Sequence, residues 1–224
     1  MKITAKPAKR FLLLGIKFLY IAICFCFYPV VYAQLAEALT DSRNGKTYQV
    51  VTIGSQTWMA ENLDYETPDS WCYGNNPDYC SQYGRLYTYE AAKNACPAGW
   101  HTPSEEEWRE LELFLGMSEK EVYEYLYRGE DIGAKLKSRE GWISEDGRNY
   151  GNNESGFNGL PGGIRVFHNG NFIRLGQQGY WWSSSWDGQH GWRRSLFADK
   201  TGIDRDLATL ANAYSVRCVK DSEE

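Results

Sequence analysis

The stretch CPAGWHTPSEEEWRELELFL, residues 96–115, joins a cysteine, a Pro/Gly turn and the best-punctuated helix start in the chain. Thr102 is placed to act as N-cap, and Pro103 stands at the first helical position, where a missing N–H costs nothing. Glu105, three residues after the cap, completes a capping box. The carboxylates of Glu105, Glu106 and Glu107 meet the positive end of the helix dipole. Trp108, Leu111 and Leu115 recur at helical spacing on one face, and Gly116 follows where a left-handed stop is expected. The stretch predicts a short amphipathic helix anchored in a core by a tryptophan, which speaks for a fold and not for a reaction.

At 224 residues the chain suits one domain with a sizeable core. Lys2, Lys6, Lys9 and Arg10 precede a run from Phe11 to Val31 that is apolar apart from Lys17 and a few small or aromatic breaks, and Val31-Tyr32-Ala33 supplies a small-residue cleavage site. Residues 1–33 read as a secretory signal peptide; the alternative is an uncleaved membrane anchor, the one route to membrane association. Removing them takes away five basic residues and no acidic one, leaving a mature charge of about −10, 19 basic against 29 acidic residues. Nucleic acid is excluded as a partner on that balance, since phosphate binding needs clustered Lys and Arg. The expected location is the cell surface or the medium.

The mature part keeps Cys72, Cys80, Cys96 and Cys218, an even number that reads as two disulfides with three pairings open. No C-x-x-C pair points to zinc.

Residues 34–40 read as a linker, with order beginning at Asp41. Asn44-Gly45 signals a turn before Thr47–Ile53, a β-branched strand, and Gln56–Leu63 reads as a second strand burying Trp58 and Met59. Glu66–Ser81 has loop composition. Thr88 caps a short helix, Tyr89–Ala95, which Pro97 ends. Ser118-Glu119-Lys120-Glu121 is a second capping box, opening a helix through Val122, Tyr125 and Leu126 toward Gly129. Beyond an irregular polar loop at 145–156, Ile164–Phe167 and Phe172–Leu175 flank an Asn169-Gly170 hairpin turn. Tyr180–Ser183, Arg193–Ala198 and Tyr214–Val219 read as strands, the last two separated by a turn at Thr201-Gly202.

The phrases TYQVVTIGSQTWMAENLDY, YGRLYTYEAAKNACPAGWHTPSEEEWREL, GFNGLPGG, GYWWSSS and YSVRCVKD, in that order, resemble the Fibrobacter succinogenes major paralogous domain over residues 41–221. That is a group of exported bacterial proteins with no established activity. The family is in turn similar to the C-type-lectin-like fold of sulfatase-modifying factors. The resemblance implies an α+β fold: short helices packed on a small twisted antiparallel sheet, long irregular loops, and two disulfides. It also favours Cys96 with Cys218, a final cysteine strand tied back to an earlier helix, beside a short Cys72 to Cys80 loop. Sulfatase-modifying oxidases use a close pair of reactive cysteines with copper, and no mature pair here matches.

Ser183, Asp187 and His190 lie close in sequence, but no G-x-S-x-G elbow accompanies them, so no catalytic residue is assigned and an enzyme is not expected. No cofactor is required by any motif. Calcium is the one cation to consider, with oxygen ligands from Glu145, Asp146, Asn149, Asn152, Asn153, Glu154, Asp199, Asp204 and Asp206, although the paired sugar-binding lectin motifs are absent. Trp181, Trp182, Trp186 and Trp192 crowd into about a dozen residues. Strand alternation puts Trp181 and Trp182 on opposite faces, one in the core and the other toward a groove. The expected function is binding, of an extracellular carbohydrate or an envelope protein, through a loop face bearing Trp182, Trp186 and Trp192. A structural or adhesive role in the cell envelope is the runner-up.

Overall fold

The computed structural model describes residues 38–222; the expected signal peptide and most of the expected linker lie outside them. In chain order the elements are β1 (Ala38–Thr40), β2 (Thr47–Ile53), β3 (Gln56–Met59), β4 (Ser70–Trp71), α1 (Pro77–Tyr83), β5 (Leu86–Tyr87), α2 (Tyr89–Lys93), β6 (Trp100–His101) and α3 (Glu105–Phe114). They continue with β7 (Leu126–Arg128), α4 (Ile132–Leu136), β8 (Ile164–Arg165), β9 (Phe172–Ile173), β10 (Gln178–Trp186), β11 (His190–Phe197), β12 (Ile203–Thr209), β13 (Tyr214–Ser215) and β14 (Val219–Lys220). This is a mixed α+β architecture, mostly sheet with a few short helices. Five strands pair in the order β1-β2-β3-β14-β6, seven in the order β4-β5-β13-β10-β11-β12-β7, and β8 with β9 alone. Both sheets are antiparallel except where β13 runs parallel to β10.

Helix α3 forms where expected, with Trp108 and Leu111 buried, but its cap is Ser104. The Ser104 hydroxyl accepts from the Glu107 amide, and Glu107 reaches back to the Ser104 amide. Thr102 is not the cap because its buried hydroxyl is already donated to the Ala92 carbonyl at 2.6 Å. Glu105, expected to close the box, instead turns inward. Arg194 donates to Glu105 and to Glu112 (2.6 Å to the latter), Arg128 donates to Glu112 at 2.7 Å, and Arg205 donates to Glu105 at 2.7 Å. All five side chains are buried, so α3 is joined to the seven-stranded sheet by a multiply hydrogen-bonded ion network. Burial alone would raise the Glu105 pKa; the guanidiniums of Arg194 and Arg205 outweigh it and hold the group below its ordinary value.

Other expectations change for local reasons. Ala38–Thr40 is a strand paired with β2 in the register Ala38 to Gln49, so part of the expected linker is sheet. The Cys72 to Cys80 segment is not only loop: Asn76 accepts from the Asp78 amide and Pro77 sits at the first helical position, which starts α1. The Ser118 capping box is made, yet it opens only a 3-10 turn at Glu121–Tyr123 before the chain extends into β7. The expected strand from Gln56 stops at Met59, and the helix from Tyr89 stops at Lys93. The turn at Thr201-Gly202 leads into β12, a strand the sequence reading passed over; its Asp204 and Asp206 pair with Arg193 at 2.8 and 3.1 Å.

Both disulfides are present, Cys72 to Cys80 and Cys96 to Cys218. They suit an oxidising environment, and among the described residues no helix is long and apolar enough to cross a membrane.

Candidate binding surface

The alternation along β10 does put Trp181 and Trp182 on opposite faces, but both faces are covered. Trp181 packs on Phe157 and donates its indole N–H to Asn62 Oδ1 at 2.8 Å. Trp182 lies 4.5 Å from the Tyr214 ring and 5.5 Å from that of Tyr89, and donates to the Tyr87 carbonyl at 2.8 Å. Trp182, expected to face a ligand, is thus a core residue with no exposed surface. Helix α3 covers one face of the sheet, and α2 with Tyr89 covers the other.

After Trp182 the pairing with β11 slips, resuming only at Trp186 opposite Gly191. The irregularity is used by the serines. Ser184 N–H donates to the Pro103 carbonyl at 2.8 Å, and Ser185 Oγ accepts from the Glu105 amide at 3.0 Å, so this bulge holds the start of α3. Ser183 is buried, its hydroxyl accepting from the Ser185 amide. Asp187 accepts from the amides of Gln189 and His190, which pull its pKa below the ordinary value and close the hairpin turn. Ser183 and Asp187 therefore serve the backbone; the His190 imidazole lies 3.6 Å from Asp187 at the exposed turn, and among the described residues no hydrogen bond joins either to the buried Ser183 hydroxyl.

Trp186 stands at the hairpin end and is 55 % exposed. Trp192 on β11 is half-buried, its ring 5.1 Å from that of Tyr125, with the Arg205 guanidinium 3.8 Å from the centre of Trp192 and 5.2 Å from that of Tyr125. Arg205 is buried and held from beneath by Glu105, and it donates to the Tyr123 carbonyl at 3.0 Å. The two rings roof this cation, a stacking that orients them. Tyr123 lies 5.0 Å from the Arg109 guanidinium. Tyr123, Tyr125 and Leu126 are each more than half exposed, at 61, 56 and 58 %. Leu126 adopts φ +62°, a left-handed backbone that costs a non-glycine residue of order 1 kcal/mol.

Sequence reasoning finds Trp186 and Trp192 and misses the tyrosines, because the Ser118 capping box predicts a helix through Tyr125 and Leu126 where the chain instead extends into β7. A signal was present: Tyr123, Tyr125 and Tyr127 recur every second residue, the period of a strand.

The polar loops expected to offer calcium ligands spend much of their oxygen on their own backbone. Asp146 accepts from Ser144 Oγ, the Arg148 amide and Tyr150 Oη, and Asn149, Asn152 and Asn153 accept from the amides of Gly151, Glu154 and Asn158. Among the described residues no group of three His, Cys, Asp or Glu side chains is arranged to hold a metal ion. His101, isolated in sequence, lies between Glu107 (2.7 Å) and Asp221 (2.6 Å). The Glu107 hydrogen bond, with that of Asp221, outweighs burial and raises its pKa to about 9.

A family model described as the Fibrobacter succinogenes major domain matches residues 51–220. The chain belongs to this family. No curated protein and no solved structure matches it. The matched span of the Fibrobacter succinogenes major domain runs from within β2 to the last residue of β14, and so contains all four paired cysteines, the buried ion network and the aromatic surface.

Proposed function

We propose that this chain is an exported binding domain, with the C-type-lectin-like layout that its helices, sheet and Cys96 to Cys218 bridge suggest. It recognises an extracellular carbohydrate through the surface of Tyr125 and Trp192, while Trp186, paired with Gly191 one residue before Trp192, faces the other side of the sheet. The observation that carries this reading is the mounting of Trp192 and Tyr125 over Arg205: large rings, partly exposed, are fixed by a buried ion network and so lose little entropy on meeting a ligand. Sugar rings present C–H faces to such aromatics. The exposed, backbone-strained Leu126 between Tyr125 and Tyr127 favours a second reading, a protein of the cell envelope docking on the same surface.

The test is retention of the oxidised protein on insoluble cell-wall polysaccharides, with calcium and with chelator. Retention is expected in the wild type and weakened roughly tenfold or more in Trp192→Ala and Tyr125→Ala, as for hot-spot rings. Trp182→Ala is expected to act differently, destabilising the fold by about 3–5 kcal/mol. Loss on chelation assigns calcium a part. No retention of the wild type overturns the carbohydrate reading and leaves the envelope-protein one.

A further inference from the structure

At the end of β10 away from its hairpin, the turn preceding β10, the segment after β11 and the loop at residues 143–145 line an open cavity of about 140 Å³. Its walls include Ile143, Glu145, Arg174, Gln177, Gln178 and Asp199. Gln178 stands at the cavity and Arg193, next to Trp192, pairs with Trp182 four steps of about 3.3 Å along β10, so the two sites lie roughly 15 Å apart.

The cavity is built by backbone ties between its walls. The Ile143 amide donates to the Gly176 carbonyl at 2.7 Å, the Gln177 and Gln178 amides both donate to the Arg174 carbonyl at 3.0 Å, and the Ala198 amide donates to the Gln177 carbonyl at 2.8 Å. Gly176 has φ +76°, a left-handed backbone that favours glycine where the turn meets the Ile143 loop. Arg174 itself has φ +70°. Lys137, fully buried, donates to the carbonyls of Phe197 at 3.0 Å and Lys200 at 2.7 Å, which fixes the turn that presents Asp199.

Within these fixed walls, Glu145, Arg174, Gln177 and Asp199 make no side-chain hydrogen bond or ion pair among the described residues. The cavity therefore offers a guanidinium, a primary amide and two carboxylates not engaged with one another, beside one aliphatic side chain. With the Lys137 ammonium behind Asp199 and Arg174 beside Glu145, two acidic groups stand against two basic ones, a balance that favours a neutral ligand over an ion. Its volume, that of roughly five waters, suits one ring and not an oligomer. A neutral pyranose answers each feature: vicinal hydroxyls donate to carboxylates and accept from guanidinium and amide, and its C–H face meets Ile143.

We propose that this cavity binds a single neutral sugar residue, with Arg174 and Gln177 donating to its hydroxyls and Glu145 and Asp199 accepting from them. The inference does not rest on the aromatic surface. Saturation-transfer NMR on the full oxidised protein with D-glucose, D-galactose, D-mannose and N-acetyl-D-glucosamine tests it, alongside Arg174→Ala, Asp199→Ala and Trp192→Ala, each checked by its melting temperature. The three cavity side chains Glu145, Arg174 and Asp199 are exposed, so their variants are expected to fold. The expected result is transfer to at least one of these sugars, reduced tenfold or more by Arg174→Ala and Asp199→Ala and unchanged by Trp192→Ala. Absence of transfer from all four sugars overturns the proposal, as does transfer that survives both cavity variants. Transfer lost in Trp192→Ala alone assigns the sugar to the aromatic surface and also overturns it.

Discussion

Single side chains here take their roles from what surrounds them. His101 is held by two carboxylates that raise its pKa from an ordinary 6.5 to about 9. Because the folded value exceeds the unfolded one, the imidazolium's contribution to stability is fully present below about pH 6.5 and is lost as pH rises through about 9. The expected outcome is a wild-type melting temperature that falls across this window relative to His101→Gln, in which the pH-dependent component is absent; parallel curves for the two proteins would refute it. Lys137 acts with the opposite sign above about pH 8, where burial has lowered its pKa, so the comparison between variants, which cancels Lys137, is the informative one. None of this was legible in sequence. His101 is six residues from Glu107 but 120 from Asp221, and only folding brings the second carboxylate to the ring.

At the scale of elements, local signals were read well where one reading competed and poorly where two did. The pattern Ser/Thr-x-x-Glu occurs twice in register at the start of α3, as Thr102 with Glu105 and as Ser104 with Glu107. Local chemistry accepts either. The Ala92 carbonyl decides by taking the Thr102 hydroxyl, and Arg194 and Arg205 decide by taking Glu105. A distinct stability cost follows. Glu105→Gln leaves two buried guanidiniums short of a charge and is expected to cost about 3–5 kcal/mol. A lost cap would cost only about 1 kcal/mol, so a denaturant midpoint shifted by no more than that would contradict the buried network. The second box, at Ser118, is formed in full and still yields no α-helix, because Leu126–Arg128 pairs with β12. Long-range pairing outweighs a capping preference worth about 1 kcal/mol.

For the molecule as a whole, the two disulfides differ in what they constrain. Cys96 to Cys218 spans 122 residues and Cys72 to Cys80 spans eight. By loop-closure entropy these contribute about 5 and about 2.5 kcal/mol, so Cys96→Ser with Cys218→Ser is expected to lower the unfolding free energy about twice as much as Cys72→Ser with Cys80→Ser. The reverse order in urea unfolding would show that the long bridge is not the main constraint. The amino-acid sequence alone determined the α+β class, the helix at residues 105–114, the strands around the tryptophans and the family, since each is written in local periodicity, turn residues or recognisable phrases. Tertiary structure alone decided that Trp182 is core, that Tyr123 and Tyr125 are surface, that Glu105 is buried against arginines from β11 and β12, and that three separate segments close the cavity at Arg174. Exposure and ion pairing depend on which elements cover one another, and neighbours 80 or more residues away leave no trace in the spacing of a short segment.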